Sequence, residues 1–272
     1  MIRVKNPMKK IILLMLLPLQ CFAFGNLFII GGGSQSDELV KEYLKLCGAS
    51  NKLLIVAKAS SLEEEVLAEV QTRFQTLGAT NTHKYICQAQ ADQCLEQLSD
   101  VKCVYFSGGD QKKLTEHFLG SKAIEKLHQI FADGGTMIGT SAGAAIMSEV
   151  MLSGNILDDA EGFSRIAVNH VEDSIGFGFL KNFIIDQHFV KRQRQNRLLS
   201  KVLELPYLVG VGIDESTAIV FKNTITEFTV TGQASVVIFD ARQTSPGLDG
   251  RGNFSVKNLS QSILSSDQTF KF

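Results

Sequence analysis

The tightest constraint on the fold is a run of small residues, Gly139-Thr140-Ser141-Ala142-Gly143. It is entered from the apolar residues Met137 and Ile138 and followed by Ala144, Ala145, Ile146 and Met147. A G-x-S-x-G pattern between an apolar strand and a helix reads as a nucleophile elbow, a sharp strand-to-helix turn. The flanking glycines let the two backbones approach each other. The turn holds a weakly nucleophilic hydroxyl in the open, where a base can reach it. Backbone N–H groups at the start of the helix, such as that of Ala142, are then available to a developing oxyanion. The five residues alone also fit an ordinary glycine-rich turn with a bystander serine.

An elbow needs a sheet, and the remaining pattern supplies one. Apolar strand-like runs at 27–30, 53–57, 82–86, 101–106 and 136–140 alternate with helical spacing at 37–46, 62–77, 90–98 and through to 131. Continuous apolar strands separated by helices predict an α/β fold with a largely parallel sheet covered by helices on both faces. Further strands are expected at 183–186 and 208–213, and those at 218–221, 227–230 and 235–239, with turns at Lys222-Asn223 and Thr231-Gly232, predict antiparallel C-terminal strands extending that sheet. The stretch 154–178, with Asp158, Asp159, Glu161, Glu172 and Asp173, reads as an irregular loop bordering the site. Sites in such sheets lie beyond the carboxyl ends of the strands. Gly31-Gly32-Gly33, Gly108-Gly109-Asp110 and the elbow all fall on that rim. The first of these lacks the third glycine of a dinucleotide loop, so no cofactor is expected.

Composition narrows the class. The 272 residues suit one large domain or a domain with an extension, and 44% hydrophobic residues supply a sizeable core. A net charge of −1 argues against nucleic acid or an anionic membrane as partner. Lys5, Lys9 and Lys10 precede an apolar run at 11–19 and then Cys21-Phe22-Ala23. This reads as a signal peptide over 1–23, with Met8 an alternative start and export to the periplasm or beyond. The run is too short to span a bilayer, so no membrane association is expected after cleavage. A lipidated Cys21 is disfavoured by Gln20, and a buried N-terminal element is the other reading. Cys87 and Cys94 are close enough in sequence to pair in an oxidising compartment. Cys47 carries no assignment, and Cys103, in an apolar strand, is expected to be a core thiol. No C-x-x-C occurs, and no metal is expected.

A serine nucleophile needs a base and an orienting acid. Of the five histidines, His83, His117, His128 and His170 fall in an early strand, two helices and the irregular loop, whereas His188 stands just past an apolar strand end. Glu215, with Asp214 beside it, ends another strand on the same rim. The order Ser…His…Glu differs from the Ser…Asp…His of α/β-hydrolases, which weakens an esterase reading. Arg192, Arg194 and Arg197 cluster at a helix N-terminus, where cations are unfavourable unless an anionic group faces them. Lys191 is expected to be solvated.

Four motifs together resemble the cyanophycinase family, serine peptidase family S51. They are Phe106-Ser107-Gly108-Gly109-Asp110-Gln111, the elbow, Asp186-Gln187-His188-Phe189 with the three arginines, and Gly212-Ile213-Asp214-Glu215-Ser216-Thr217-Ala218. The resemblance implies one peptidase domain over 24–272, with a flavodoxin-like sheet similar to class I glutamine amidotransferases. It implies catalytic Ser141, His188 and Glu215, and oxyanion or positioning N–H groups from Gly109, Asp110 and Ala142. It implies substrate binding by Gln111, Asp186, Gln187, Arg192, Arg194 and Arg197. It further implies a cofactor-free homodimer that hydrolyses β-aspartyl linkages and releases β-Asp-Arg dipeptides from cyanophycin, a polyaspartate with arginine on each side chain. An α-aspartyl dipeptidase acting on short peptides and an inactive binding module stay open as alternatives. Asn196 stands where the family commonly has glycine.

Overall fold

The computed structural model describes residues 24–157 and 162–272. The expected signal peptide and Asp158, Asp159 and Glu161 lie outside them. In order, the chain forms β1 (Asn26–Ile30), α1 (Asp37–Cys47), β2 (Lys52–Val56), α2 (Glu63–Thr76), β3 (Thr82–Lys84), a 3-10 segment (Ala91–Leu98), β4 (Val101–Phe106), α3 (Gln111–Phe118), α4 (Lys122–Ala132), β5 (Thr136–Thr140) and α5 (Ala142–Ala145). There follow β6 (Ser148–Ile156), β7 (Val171–Ile175), β8 (Leu180–Gln187), α6 (Gln195–Glu204), β9 (Val209–Ile213), β10 (Thr217–Phe221), β11 (Glu227–Gly232) and β12 (Val236–Asp240). The chain closes with β13 (Gly247–Leu248), β14 (Phe254–Ser255), β15 (Ser260–Leu264) and β16 (Thr269–Lys271).

The expected parallel sheet is present, and it has a companion. The first sheet has eight strands in the order β16-β11-β10-β1-β5-β4-β2-β3. Its β1, β5, β4, β2 and β3 run parallel, and β10, β11 and β16 extend it antiparallel. The second has six strands in the order β15-β12-β9-β8-β6-β7, with β6, β8 and β9 parallel. The strand at 236–240 thus belongs to a different sheet from the one it was expected to extend.

Three apolar layers hold these pieces. On one face of the first sheet, Leu39 and Tyr43 of α1 and Leu67 and Phe74 of α2 pack on Phe28, Ile30, Leu53 and Ile55. On the other face, Leu27, Ile29, Leu54 and Val56 meet α3, α4 and the inner face of the second sheet. Alternation along β8 places Phe183 and Ile185 in that middle layer and Ile184 in the outer one, against Leu198 and Val202 of α6. Ser36 caps α1 by accepting from the Leu39 N–H, and Ser121 caps α4 by accepting from Ile124.

Three local expectations are corrected. The helix after the elbow is a single turn that leads through Ile146 and Met147 into β6, and the elbow itself is tight: a Cβ on Gly139 would lie 2.0 Å from the Gly143 carbonyl oxygen. The stretch expected to be irregular contains β7 and the end of β6, paired antiparallel. Their register shifts between Leu152 and Ile156, which breaks the alternation that would have marked a hairpin. Cys103 is no free thiol. Cys47, in the last turn of α1, faces it across the α1 layer, and the two form a disulfide alongside the expected Cys87–Cys94 bridge.

Candidate active site

Ser141, His188 and Glu215 each follow the carboxyl end of a strand, β5, β8 and β9 respectively. The first strand lies in one sheet and the other two in the second, so the site straddles the sheet junction. The Ser141 hydroxyl lies 2.8 Å from His188 Nε2, and His188 Nδ1 lies 2.7 Å from Glu215 Oε1. An ionised carboxylate only accepts, so the Nδ1–H donates to Glu215 and Nε2 is left to accept the serine proton. The hydrogen bond from His188 is the main cause holding the Glu215 carboxyl below its usual range. Burial pushes the His188 imidazole down; the bond to Glu215 opposes this, and the charges of Arg192 and Arg194 add to it. The base therefore rests neutral, as proton abstraction requires. Asp214 does not compete for the imidazole, because its Oδ1 accepts the Lys191 N–H at 2.9 Å.

The backbone at these residues is unusual. Ser141 has φ 53°, His188 φ 50° and Ser216 φ 56°, left-handed conformations for side-chain-bearing residues. Such conformations persist where the surroundings over-determine them, and here the surroundings are the β1 loop. The Ile30 carbonyl accepts the Ser141 N–H at 3.1 Å, that of Gly31 accepts His188 at 2.7 Å, and that of Gly32 accepts Ser216 at 2.9 Å. A Cβ on Gly32, at φ 94°, would sit 2.3 Å from His188 Cε1; one on Gly33 would sit 2.7 Å from Glu215 Cβ. Sequence reasoning missed this role of the glycine triplet. Three consecutive glycines at a strand end do signal that another chain segment comes close, without saying which one.

Of the expected oxyanion groups, Gly109 follows Gly108, on which a Cβ would lie 3.2 Å from Ser141 Cβ, and Ala142 follows the serine directly. Asp110 does not serve in this way. Its N–H donates to the Ala59 carbonyl at 2.9 Å, and its carboxylate caps α3 by accepting from the Lys112 N–H at 2.9 Å.

The expected substrate-binding residues divide into two sets. Asp186 and Arg197 pair with each other: Arg197 Nε donates to Asp186 Oδ2 at 2.7 Å, and Nη2 donates to Oδ1. Both are buried, and the Arg197 guanidinium also lies 5.2 Å from the Phe163 ring centre. Together they brace the segment that leads into His188. Gln111 uses its amide nitrogen to hold the Leu152 and Ser153 carbonyls of β6 at 2.8 and 2.9 Å. Arg194 donates to the Gln187 carbonyl at 2.7 Å and to Gln187 Oε1 at 2.6 Å. Burial, and then the neighbouring Arg197 charge, lower its guanidinium to about 10. Asp186 Oδ1 lies 3.8 Å from Arg194 Nη1 while the same carboxylate pairs with Arg197, so one carboxylate faces two guanidinium groups and the surplus positive charge suits an arriving carboxylate. Arg192 is exposed beside it, its N–H bonded to the His188 carbonyl at 3.0 Å.

The other histidines are occupied elsewhere: His83 with Asn81, His117 with Tyr85 and His128 with the Phe177 carbonyl, while His170 is buried. Among the described residues, no group of three or more His, Cys, Asp or Glu is placed to hold a metal ion, and no helix is long and apolar enough to cross a membrane.

The description of peptidase family S51 matches residues 27–228. The chain is similar to the cyanophycinase of Trichormus variabilis, with 29% identity over 255 residues, 89% of this chain and 84% of that one. Its similarity to the cyanophycinase of Synechococcus elongatus is 29% over 261 residues, 90% and 79% of the two chains. A crystal structure of a peptidase from an acI-B1 actinobacterium superposes with a TM-score of 0.67 at 21% identity, covering 94% of this chain and 100% of that one. A putative peptidase E protein from Listeria monocytogenes superposes at 0.56 with 16% identity, covering 78% and 100%. At those identities the two structures speak for the fold alone.

Proposed function

The chain belongs to peptidase family S51 and is a serine-type peptidase, and from that premise we propose that it is an exported exopeptidase releasing β-Asp-Arg dipeptides from cyanophycin. The observation that carries the reading is the hydrogen-bonded line Ser141–His188–Glu215 with the half-buried Arg194 beside it, which shares the one Asp186 carboxylate with Arg197. Ser141 Oγ attacks the scissile carbonyl carbon while His188 Nε2 takes its proton. Glu215 holds the imidazole in the right tautomer and stabilises the imidazolium. The N–H groups of Gly109 and Ala142 receive the oxyanion. His188 then passes the proton to the leaving amine, and a water repeats the sequence to free the acyl group.

The product defines the bond. A dipeptide that leaves with its β-Asp–Arg linkage intact is freed by cutting the main-chain amide, so the β-aspartyl linkage, expected above to be the bond hydrolysed, belongs instead to the recognised branch. That branch brings free carboxylate to the site, and Arg194, with Arg192 at the rim, is the natural partner for it. Export is supported by the signal pattern at 1–23 and by two disulfides, which belong to oxidising compartments.

The test is incubation of purified protein (residues 24–272) with insoluble cyanophycin beside a Ser141→Ala control, with soluble product read by mass spectrometry. β-Asp-Arg released only by the unmutated protein is the expected result. Labelling of Ser141 by an active-site serine probe without dipeptide release would overturn the substrate and leave the chemistry standing.

A further inference from the structure

Beyond the triad, the same rim carries a polar cleft of about 590 Å³ that the mechanism does not use. It begins at Lys58, one residue from Ala59, whose carbonyl holds the Asp110 N–H and against which a Cβ on Gly109 would lie only 2.1 Å away. The cleft is therefore next to the strand-end loop that borders Ser141. One wall is the outer part of α3, with Lys113, Glu116 and His117. The other is the segment between Cys87 and Cys94, a loop closed by their disulfide, from which Gln88, Gln90 and Gln93 line the space.

The charges in this cleft are selective. Lys58 is satisfied by Glu63 at 2.8 Å, and His117 Nε2 is hydrogen-bonded with the Tyr85 hydroxyl at 3.0 Å. Lys113 and Glu116 have no ion-pair partner among the described residues, not even each other. The wall thus offers one cation and one anion, both exposed and both free to bind. An α-helix rises about 1.5 Å per residue, so the two sit roughly 5 and 9 Å along α3 from Asp110. An extended peptide advances about 3.3–3.6 Å per residue, so a chain passing Asp110 on its way from Ser141 covers those offsets in about three further residues.

We infer that this cleft is a second binding site, one that takes a non-scissile unit of a peptide chain whose branches each carry a guanidinium and a carboxylate. Glu116 receives the guanidinium and Lys113 the carboxylate, while the disulfide keeps the glutamine wall in place. The inference rests on the cyanophycin reading and extends it from one dipeptide to the chain that follows. It makes the enzyme a reader of polymer, with the shortest substrates bound only at Ser141 and Arg194.

The test compares synthetic chains of two and of four β-Asp-Arg units, with KM and kcat measured separately. In the unmutated protein the longer chain should have the lower KM at equal kcat. Lys113→Glu and Glu116→Lys should each raise KM for the four-unit chain by about two- to fivefold, the range for exposed ion pairs. The two-unit values should stay unchanged, which also reports that the variants are folded. Binding of a labelled four-unit chain to the Ser141→Ala protein should weaken in parallel. If neither chain is cleaved by the unmutated protein, the substrate reading fails and this inference fails with it. If both are cleaved with no gain from length, or the gain survives both substitutions, the cleft assignment alone is overturned.

Discussion

Arg197 and Asp186 form a two-pronged ion pair in which the side chains are 3% and 0% exposed. Both belong to motif positions from which substrate contact was expected, yet they bond to each other, and Asp186 Oδ1 also lies 3.8 Å from Arg194 Nη1. Asp186 Oδ1 also accepts the Gln187 N–H at 2.7 Å, so the pair sets the backbone immediately before His188.

Removing one partner of a buried pair leaves an uncompensated charge. Asp186→Asn or Arg197→Ala is expected to lower unfolding free energy by about 3–5 kcal/mol in a urea titration. An Arg197 that instead clamped substrate would show a raised KM with unchanged stability.

Arg194→Gln should behave in the opposite way. A charge-assisted hydrogen bond to a substrate carboxylate is worth about 1.5–3 kcal/mol, so KM on a short β-Asp-Arg chain should rise roughly 10- to 100-fold. The denaturation midpoint should move little, because the guanidinium is already destabilised by burial and by Arg197.

Gly32→Ala places a methyl group into the His188 ring at a backbone angle that disfavours any side chain. A displacement of about 1 Å at a catalytic group costs on the order of 100-fold, so kcat should fall by about that factor. Slow labelling by an active-site serine probe, in a protein whose far-ultraviolet dichroism is unchanged, is the accompanying signature.

The pH profile follows from the His188 environment. Its pKa lies below the usual imidazole range, so the neutral base is present above that lowered value and is lost as pH falls through it. The acid limb of kcat/KM should have its midpoint at lower pH than a solvated imidazole gives. Arg192→Gln removes a charge that lowers the pKa and should move the limb to higher pH. Glu215→Gln removes the partner that raises it; the limb should move to lower pH, and kcat should fall by about 10⁴ as the tautomer is lost.

The two disulfides should contribute unequally. Cys47 and Cys103 are 56 residues apart and Cys87 and Cys94 only seven, so loop-closure entropy assigns about 4 and about 2.5 kcal/mol respectively. Paired Cys→Ser variants compared by urea unfolding measure the difference, and peptide mapping without reduction identifies both bridges.

Much of the site was legible in the sequence because its signals are local. G-x-S-x-G between an apolar strand and small residues marks a turn wherever it lies in a sheet. His188 and Glu215 each stand just past an apolar run, and in a parallel sheet strand ends share a rim. The parallel strands were legible for the same reason, since uninterrupted apolar runs mark burial on both faces. The division into two sheets was not, because β12 reads alike as an antiparallel strand in either one.

The amino-acid sequence by itself thus determined which groups are capable of the chemistry and on which edge they lie. Tertiary structure decided which of them are free to do it. Gly32 fits against His188, Asp110 has already given its N–H to Ala59, Arg197 is neutralised by Asp186, and Cys103 is closed by Cys47. Each outcome turns on whether a donor, an acceptor or a small volume is already occupied by a neighbour, and for Gly32, Asp110 and Cys103 that neighbour is dozens of residues away. Occupancy of this kind belongs to the packed molecule, because hydrogen-bonding capacity and space are spent only when the chain folds.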